Sequence, residues 1–195
     1  MLEIILAIIS GYLVGSISFG YILVKLFHKK DIRNIGEKIT GGTNVLKNFG
    51  KPLGVAVGIL DALKGLLVVF LWNRYSGSEL IAVIAGGSAL LGHIFPVFLN
   101  FRGGKGQSVA FGGLFFFLYK ELLIMLMIWA VLSFLIKKVY FCGTIAVSTF
   151  PFLTIYFGQS NLMLFLTVVM VVLRWVAQVK AFKSMKYPIT NKFVG

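Results

Sequence analysis

Seven stretches of nearly unbroken apolar residues, at about 2–27, 52–73, 79–99, 107–119, 122–136, 139–158 and 161–178, alternate with short polar joints. A helix needs about 20 apolar residues to cross a hydrocarbon core, so most of these runs suffice with some tilt. The pattern predicts an all-α integral membrane protein, with 1–195 forming one polytopic domain. The first run follows Met1-Leu2-Glu3 without a basic segment and is too long for a cleaved signal peptide, so it is expected to be the first span. The 107–119 run is short and by length alone suits a re-entrant segment as well as a span.

Charge decides between these. With seven crossings and the N-terminus outside, the inner segments hold sixteen Lys and Arg residues, the outer loops hold only Arg74 and Lys120, and Lys64 stays inside a span. This obeys the positive-inside rule; if 107–119 did not cross, Lys137, Lys138 and the basic C-terminal end would lie outside. Expected, therefore, are seven transmembrane helices, N-terminus outside and C-terminus cytoplasmic. Composition agrees: 58% of residues are hydrophobic and 13% charged, roughly half what a soluble surface requires. A soluble domain, a disordered chain and a nucleic-acid module are excluded. The net charge of +13 points to anionic headgroups or anionic substrates. A single cysteine, Cys142, leaves no internal disulfide and no cysteine-based metal site.

The six acidic residues have no paired spacing, and neither His28 nor His93 has an aspartate five positions on, which excludes a His-x4-Asp acyltransferase. Four groups remain. Arg102-Gly103-Gly104-Lys105-Gly106 precedes the 107 run, where a curled backbone, a helix start and two cations suit a phosphate; a tight positive-inside turn is the alternative. Gly41-Gly42-Thr43-Asn44 with Lys47 lies in the long polar stretch 29–51 and offers hydroxyl, amide and ammonium groups; alone, it reads more readily as a turn with Thr43 or Asn44 capping the next helix. His93, followed by Pro96, sits about two turns inside the inner end of its span, where a histidine is a functional candidate and Pro96 is expected to kink the helix. Asp61 and Lys64 share a helix face at i,i+3 and are expected to pair.

These residues resemble the bacterial PlsY-type family of acyl-phosphate-dependent glycerol-3-phosphate acyltransferases, over nearly the whole chain. The resemblance rests on Gly15-Ser16-Ile17-Ser18-Phe19-Gly20, Asp31-Ile32-Arg33, Gly41-Gly42-Thr43-Asn44 and Asp61 with Lys64-Gly65. It is strongest at Gly92-His93-Ile94-Phe95-Pro96-Val97-Phe98 followed by Phe101-Arg102-Gly103-Gly104-Lys105-Gly106. Two departures stand out. Where the family reads Gly-Ser-Gly-Asn, this chain has Gly36-Glu37-Lys38-Ile39. Where it reads His-Arg-x-Asn, this chain has Arg174-Trp175-Val176-Ala177-Gln178.

The resemblance implies transfer of an acyl group from acyl phosphate to glycerol 3-phosphate, giving lysophosphatidate for phospholipid synthesis. The expected home is the bacterial inner membrane, with the site on the cytoplasmic side. It implies no metal, no organic cofactor and no nucleic-acid partner; a monomer among membrane lipids is expected. His93 and Lys105 are the expected catalytic residues. Substrate would be bound by Gly41, Thr43, Asn44, Lys47, Arg102, Gly103, Gly104 and Gly106. Thr144 takes the place of a short Ser/Ala motif, and Gln178 that of the family's asparagine. His93 is the protein base in this reading, with the substrate phosphate as the other acceptor of the proton. Glu37, beside two anionic substrates, is expected to oppose their binding. A catalytically degraded relative that binds a phosphorylated lipid, and less readily a small anion transporter, stay open as alternatives.

Overall fold

The computed structural model describes residues 1–137 and 139–186. Among these the structure is helical, with no strand. Four segments are long and apolar enough to cross a membrane: Leu2–His28, Lys51–Ser76, Glu79–Leu99 and Gln107–Ile136. The shorter apolar helices Phe141–Tyr156 and Asn161–Val176 follow. The chain divides into two compact units, Met1–Phe117 and Leu118–Gly195.

The first unit opens with α1 (Leu2–Ser16) and α2 (Phe19–His28). The run expected to be one continuous helix is broken between them, where Ile17 and Ser18 are extended. Such a break frees carbonyls that lipid cannot satisfy. Here the ammonium of Lys64 takes two of them, Gly15 O at 3.0 Å and Ile17 O at 2.6 Å. A loop with a 3-10 turn at Ile32–Asn34 leads to α3 (Gly42–Phe49), then α4 (Lys51–Ser76) and α5 (Glu79–Ile94). Helices α1 and α5 meet through small residues at four-residue spacing: a Cβ on Gly11 or Gly15 would collide with the backbone of Ala85 or Ala89. Without a hydrophobic drive between helices in lipid, close backbone approach of this kind supplies dispersion contact. A core of Ala7, Val68, Ala85, Ala89 and Val109 fills this joint. A second core, of Val24, Ile32, Val45 and Val57, seats the 29–41 loop against α2, α3 and α4.

Pro96 ends α5 rather than kinking it. The helix stops at Ile94, Phe95 leaves helical geometry, and a 3-10 turn follows at Val97–Leu99. Proline forces its predecessor out of the helical region, and no residues beyond it restore the ladder. His93 therefore lies in the last turn of α5, while the apolar span runs on to Leu99.

The runs 107–119 and 122–136, together labelled α6 (Gln107–Ile136), are two helical stretches joined at Leu118, whose geometry is non-helical. The second unit begins there and continues through α7 (Val139–Ser148), α8 (Phe150–Tyr156) and α9 (Asn161–Lys186). Within it Trp175 Nε1 donates to Ser148 Oγ at 3.0 Å. Glu121 is fully buried and accepts a 2.7 Å hydrogen bond from Gln159 Nε2. Large apolar side chains stay exposed along the helices of both units, among them Ile5, Ile9, Leu63, Leu67, Phe134 and Phe165. A water-soluble surface does not carry so many; a lipid-facing one does.

Candidate active site

The polar loops and the buried charges come together within the first unit. Its buried centre is Lys64, with 4% side-chain exposure, facing Asp61 and His93. An ammonium has three protons and no acceptor. They go to Gly15 O, Ile17 O and His93 Nδ1, the last at 3.0 Å. Asp61 Oδ1, 2.9 Å away, balances the charge without an aligned hydrogen bond of its own. The expected Asp61–Lys64 pair is present and reaches further than the spacing foretold, tying α4 to the α1–α2 joint and to α5. A charged Lys64 can only donate, and this assigns His93 the tautomer with Nδ1 unprotonated and the proton on Nε2.

That Nε2 edge lies against the Arg102–Gly106 loop. A Cβ on Gly104 would collide with His93 Nε2, and one on Gly103 with the His93 carbonyl oxygen. Gly104 N–H donates to His93 O at 3.1 Å. The glycines are thus needed for close approach to the end of α5, and one of the amides expected to face an anion is already used. Gly106 adopts a positive φ of 76° as the loop turns into α6.

The two polar segments meet. Thr40 N–H donates to Gly103 O at 3.3 Å. Arg33 forms an ion pair with Asp31 at 2.7 Å and donates through Nη1 to Leu99 O at 3.0 Å. Arg102 donates to Arg33 O at 3.4 Å. The Arg33 guanidinium holds the Asp31 carboxyl below its ordinary range, and the carboxylate in turn raises Arg33. At the junction Glu37 bridges two cations, Lys47 Nζ at Oε1 and Lys105 Nζ at Oε2, each at 2.7 Å. These two ammoniums, Lys105 first, depress the Glu37 carboxyl to about 2.

Lys105 and Lys47 accordingly converge on Glu37 at the joined loops, while Arg102 reaches Arg33 O. Gly41 is the N-cap of α3 and caps without a side chain, so neither Thr43 nor Asn44 plays that part. Thr43 is exposed on the first turn of α3, beside Gly42. Asn44 is fully buried, and its amide is fully engaged. Oδ1 accepts from Glu37 N and Asn48 Nδ2, while Nδ2 donates to Ile35 O and Ile39 O, all between 2.8 and 3.0 Å. An amide has two donors and two lone pairs, so Asn44 in this arrangement clamps the loop and has nothing left for a ligand. Thr144 is buried in α7 of the second unit, its carbonyl accepting from Ser148 Oγ at 2.9 Å. Gln178 belongs to α9, and its side chain lies outside the described residues. A cavity of about 480 Å3 opens among Phe19, Leu60, Leu63, Leu67 and Phe70, with Lys64 in its wall. The contact between Lys64 and His93, and the reach of Arg33 to Leu99, escaped the sequence reading; neither pair has a spacing signal, because α4, α5 and the loops are brought together only by folding.

Residues 5–184 match the family model described as glycerol-3-phosphate acyltransferase. The chain is 35% identical over 171 residues to the glycerol-3-phosphate acyltransferase of Rhodopseudomonas palustris, covering 88% of this chain and 87% of that one. With the enzyme of the same name from Pelagibacter ubique it shares 44% identity over 137 residues, 70% of each chain. Among solved structures it is similar to PlsY (YgiH), described as an integral membrane glycerol 3-phosphate acyltransferase, in its glycerol 3-phosphate form. That likeness has a TM-score of 0.78 at 29% identity and covers 93% of this chain and 91% of the other. The match spans the broken first helix, the joined loops and the second unit alike, and the chain belongs to the glycerol-3-phosphate acyltransferase family.

Proposed function

We propose that the protein transfers an acyl group from acyl phosphate to the 1-hydroxyl of glycerol 3-phosphate, and that the joined loops hold the phosphates. One observation carries this reading: Lys47 and Lys105, from segments far apart in sequence, each come to 2.7 Å from a single carboxylate. Cations gathered around an anion in a family of this activity suit phosphoryl groups.

Acyl phosphate is an activated mixed anhydride, so no covalent nucleophile on the protein is required. The hydroxyl oxygen attacks the acyl carbon, the bond from that carbon to the phosphate oxygen breaks, and inorganic phosphate leaves. The hydroxyl proton passes to a phosphate oxygen. The protein's part is to hold two like-charged groups together and aligned, which is where proximity and fixed cations contribute most. His93, with its Nδ1 turned to Lys64, serves in this scheme as a positioning residue and Nε2–H donor rather than as the base. The acyl chain lies in the apolar cavity beside Phe19 and Phe70, at the lipid face. Thr43 and Gly41 line the α3 side of the phosphate site.

We further propose one membrane domain of seven crossings, N-terminus outside, C-terminus and active site cytoplasmic, in the bacterial inner membrane and as a monomer. The distribution of Lys and Arg supports this orientation. A reporter fused to the C-terminus is expected to be active inside the cell only, and an external reporter refutes the orientation. For the reaction, phosphate release by purified protein is measured with both substrates present. Lys105→Ala removes a charge-assisted contact of about 1.5–3 kcal/mol and should raise KM by about 10- to 150-fold. An unchanged KM removes Lys105 from the phosphate site.

A further inference from the structure

Glu37 stands where the family pattern has a small hydroxyl residue, and it fills the space between the two lysines. We propose that Glu37 is a specificity-determining residue: its carboxylate is an internal stand-in for phosphate, and it admits dianionic phosphoryl groups while excluding monoanions. This rests on the reading of the joined loops as a phosphate site.

The placement is over-determined. Gly36 and Lys38, on either side, both adopt left-handed geometry, with φ of 58° and 57°. That conformation is disfavoured for a side chain such as lysine. Glu37 N–H is anchored to Asn44 Oδ1 at 2.9 Å, on a buried amide that is itself held by Ile35, Ile39 and Asn48. The backbone is therefore fixed, while the carboxylate is 31% exposed and its partners more so, at 53% for Lys47 and 64% for Lys105. Ion pairs this open are weak and exchange readily. The carboxylate is thus held at the site by its tether rather than by burial, as a displaceable ligand must be.

Displacement by a monoanion replaces one negative charge with another and gains nothing against a group tethered at high local concentration. A dianion adds a further negative charge between two ammoniums and wins. A phosphomonoester loses its second charge as pH falls through about 6. The groups facing the carboxylate are Lys47 from α3 and Lys105 from the 102–106 loop, with Asn44 on its amide. Held near 2, Glu37 stays ionised throughout this range, so the pH dependence is the ligand's.

The experiment is equilibrium binding of glycerol 3-phosphate to the purified full-length protein in detergent at pH 5.5, 6.5 and 7.5. Glu37→Gln is expected to bind about tenfold tighter than the parent at pH 5.5 and only two- to threefold tighter at pH 7.5, because the monoanion is then admitted. Glu37→Ser should behave alike. A ratio of affinities that does not change with pH, or weaker binding by both variants, overturns the inference and makes Glu37 an organiser of the lysines. Lys105→Ala separates this from failure of the underlying reading. If it leaves binding intact, the phosphate site itself is misplaced; if it abolishes binding while Glu37→Gln fails to tighten it, only the role of Glu37 falls.

Discussion

Replacing Lys64 by methionine tests whether the buried ammonium organises the first unit. Methionine keeps the length and apolar stem but donates nothing. The substitution leaves Asp61, with 2% side-chain exposure, without a counter-charge. It also strips the side-chain donor to Gly15 O and Ile17 O at the helix break. Breaking a buried ion pair costs about 3–5 kcal/mol, and an orphaned carbonyl about 1–3 kcal/mol, though these overlap. We expect Lys64→Met to lose about 4 kcal/mol. Asp61→Leu in the parent should cost about as much, since it leaves the ammonium unpaired. The double variant should cost only about 2 kcal/mol, because no charge is stranded and only the carbonyls lose a partner. The coupling between the two sites is then large and of the sign that marks a buried pair. Reversible unfolding in mixed micelles, followed by tryptophan fluorescence, measures all three. The double variant should nevertheless be catalytically poor, because the tether to His93 Nδ1 is gone. Costs that simply add, with coupling below about 0.5 kcal/mol, would refute the argument.

Three further outcomes are expected. Gly104→Ala drives a methyl into the buried ring of His93, so kcat should fall by at least tenfold with the protein still folded by circular dichroism; unchanged kcat means the loop can shift away without consequence. His93→Asn, whose amide oxygen can still accept from Lys64, should keep about a tenth of parental activity, while His93→Ala keeps much less. A general base would instead cost 100- to 10,000-fold in both, on the order expected for that role. Because the Glu37 carboxyl is held at about 2 against an ordinary 4.5, its ion pairs contribute stability at pH above 4.5 that fades as pH falls toward 2. Hydrogen exchange of the 35–48 backbone, corrected for intrinsic rate, should lose protection only below about pH 4.5 in the parent. Glu37→Gln should show no such step.

The apolar runs and the asymmetry of Lys and Arg were enough to read a helical membrane protein, because a bilayer demands about 20 apolar residues per span and selects against charge within it. The motif around His93 and Lys105 was enough to name the family. The pairing of Asp61 with Lys64 was legible too, since i,i+3 on a helix is a local distance. Tertiary structure alone decided the rest. The helix break at Ile17 and Ser18 falls inside a run read as one span, and it persists because a lysine 47 residues away satisfies the freed carbonyl of Ile17. Asn44 looked like a ligand-binding amide, and folding commits its four hydrogen bonds to the 35–39 loop and to Asn48. Glu37 looked like a nearby repulsive charge, yet it is the anion that Lys47 and Lys105 converge upon, 10 and 68 positions along the chain. Sequence carries what is periodic or adjacent; which distant donors and acceptors satisfy one another is settled only when helices pack and leave no water to do it instead.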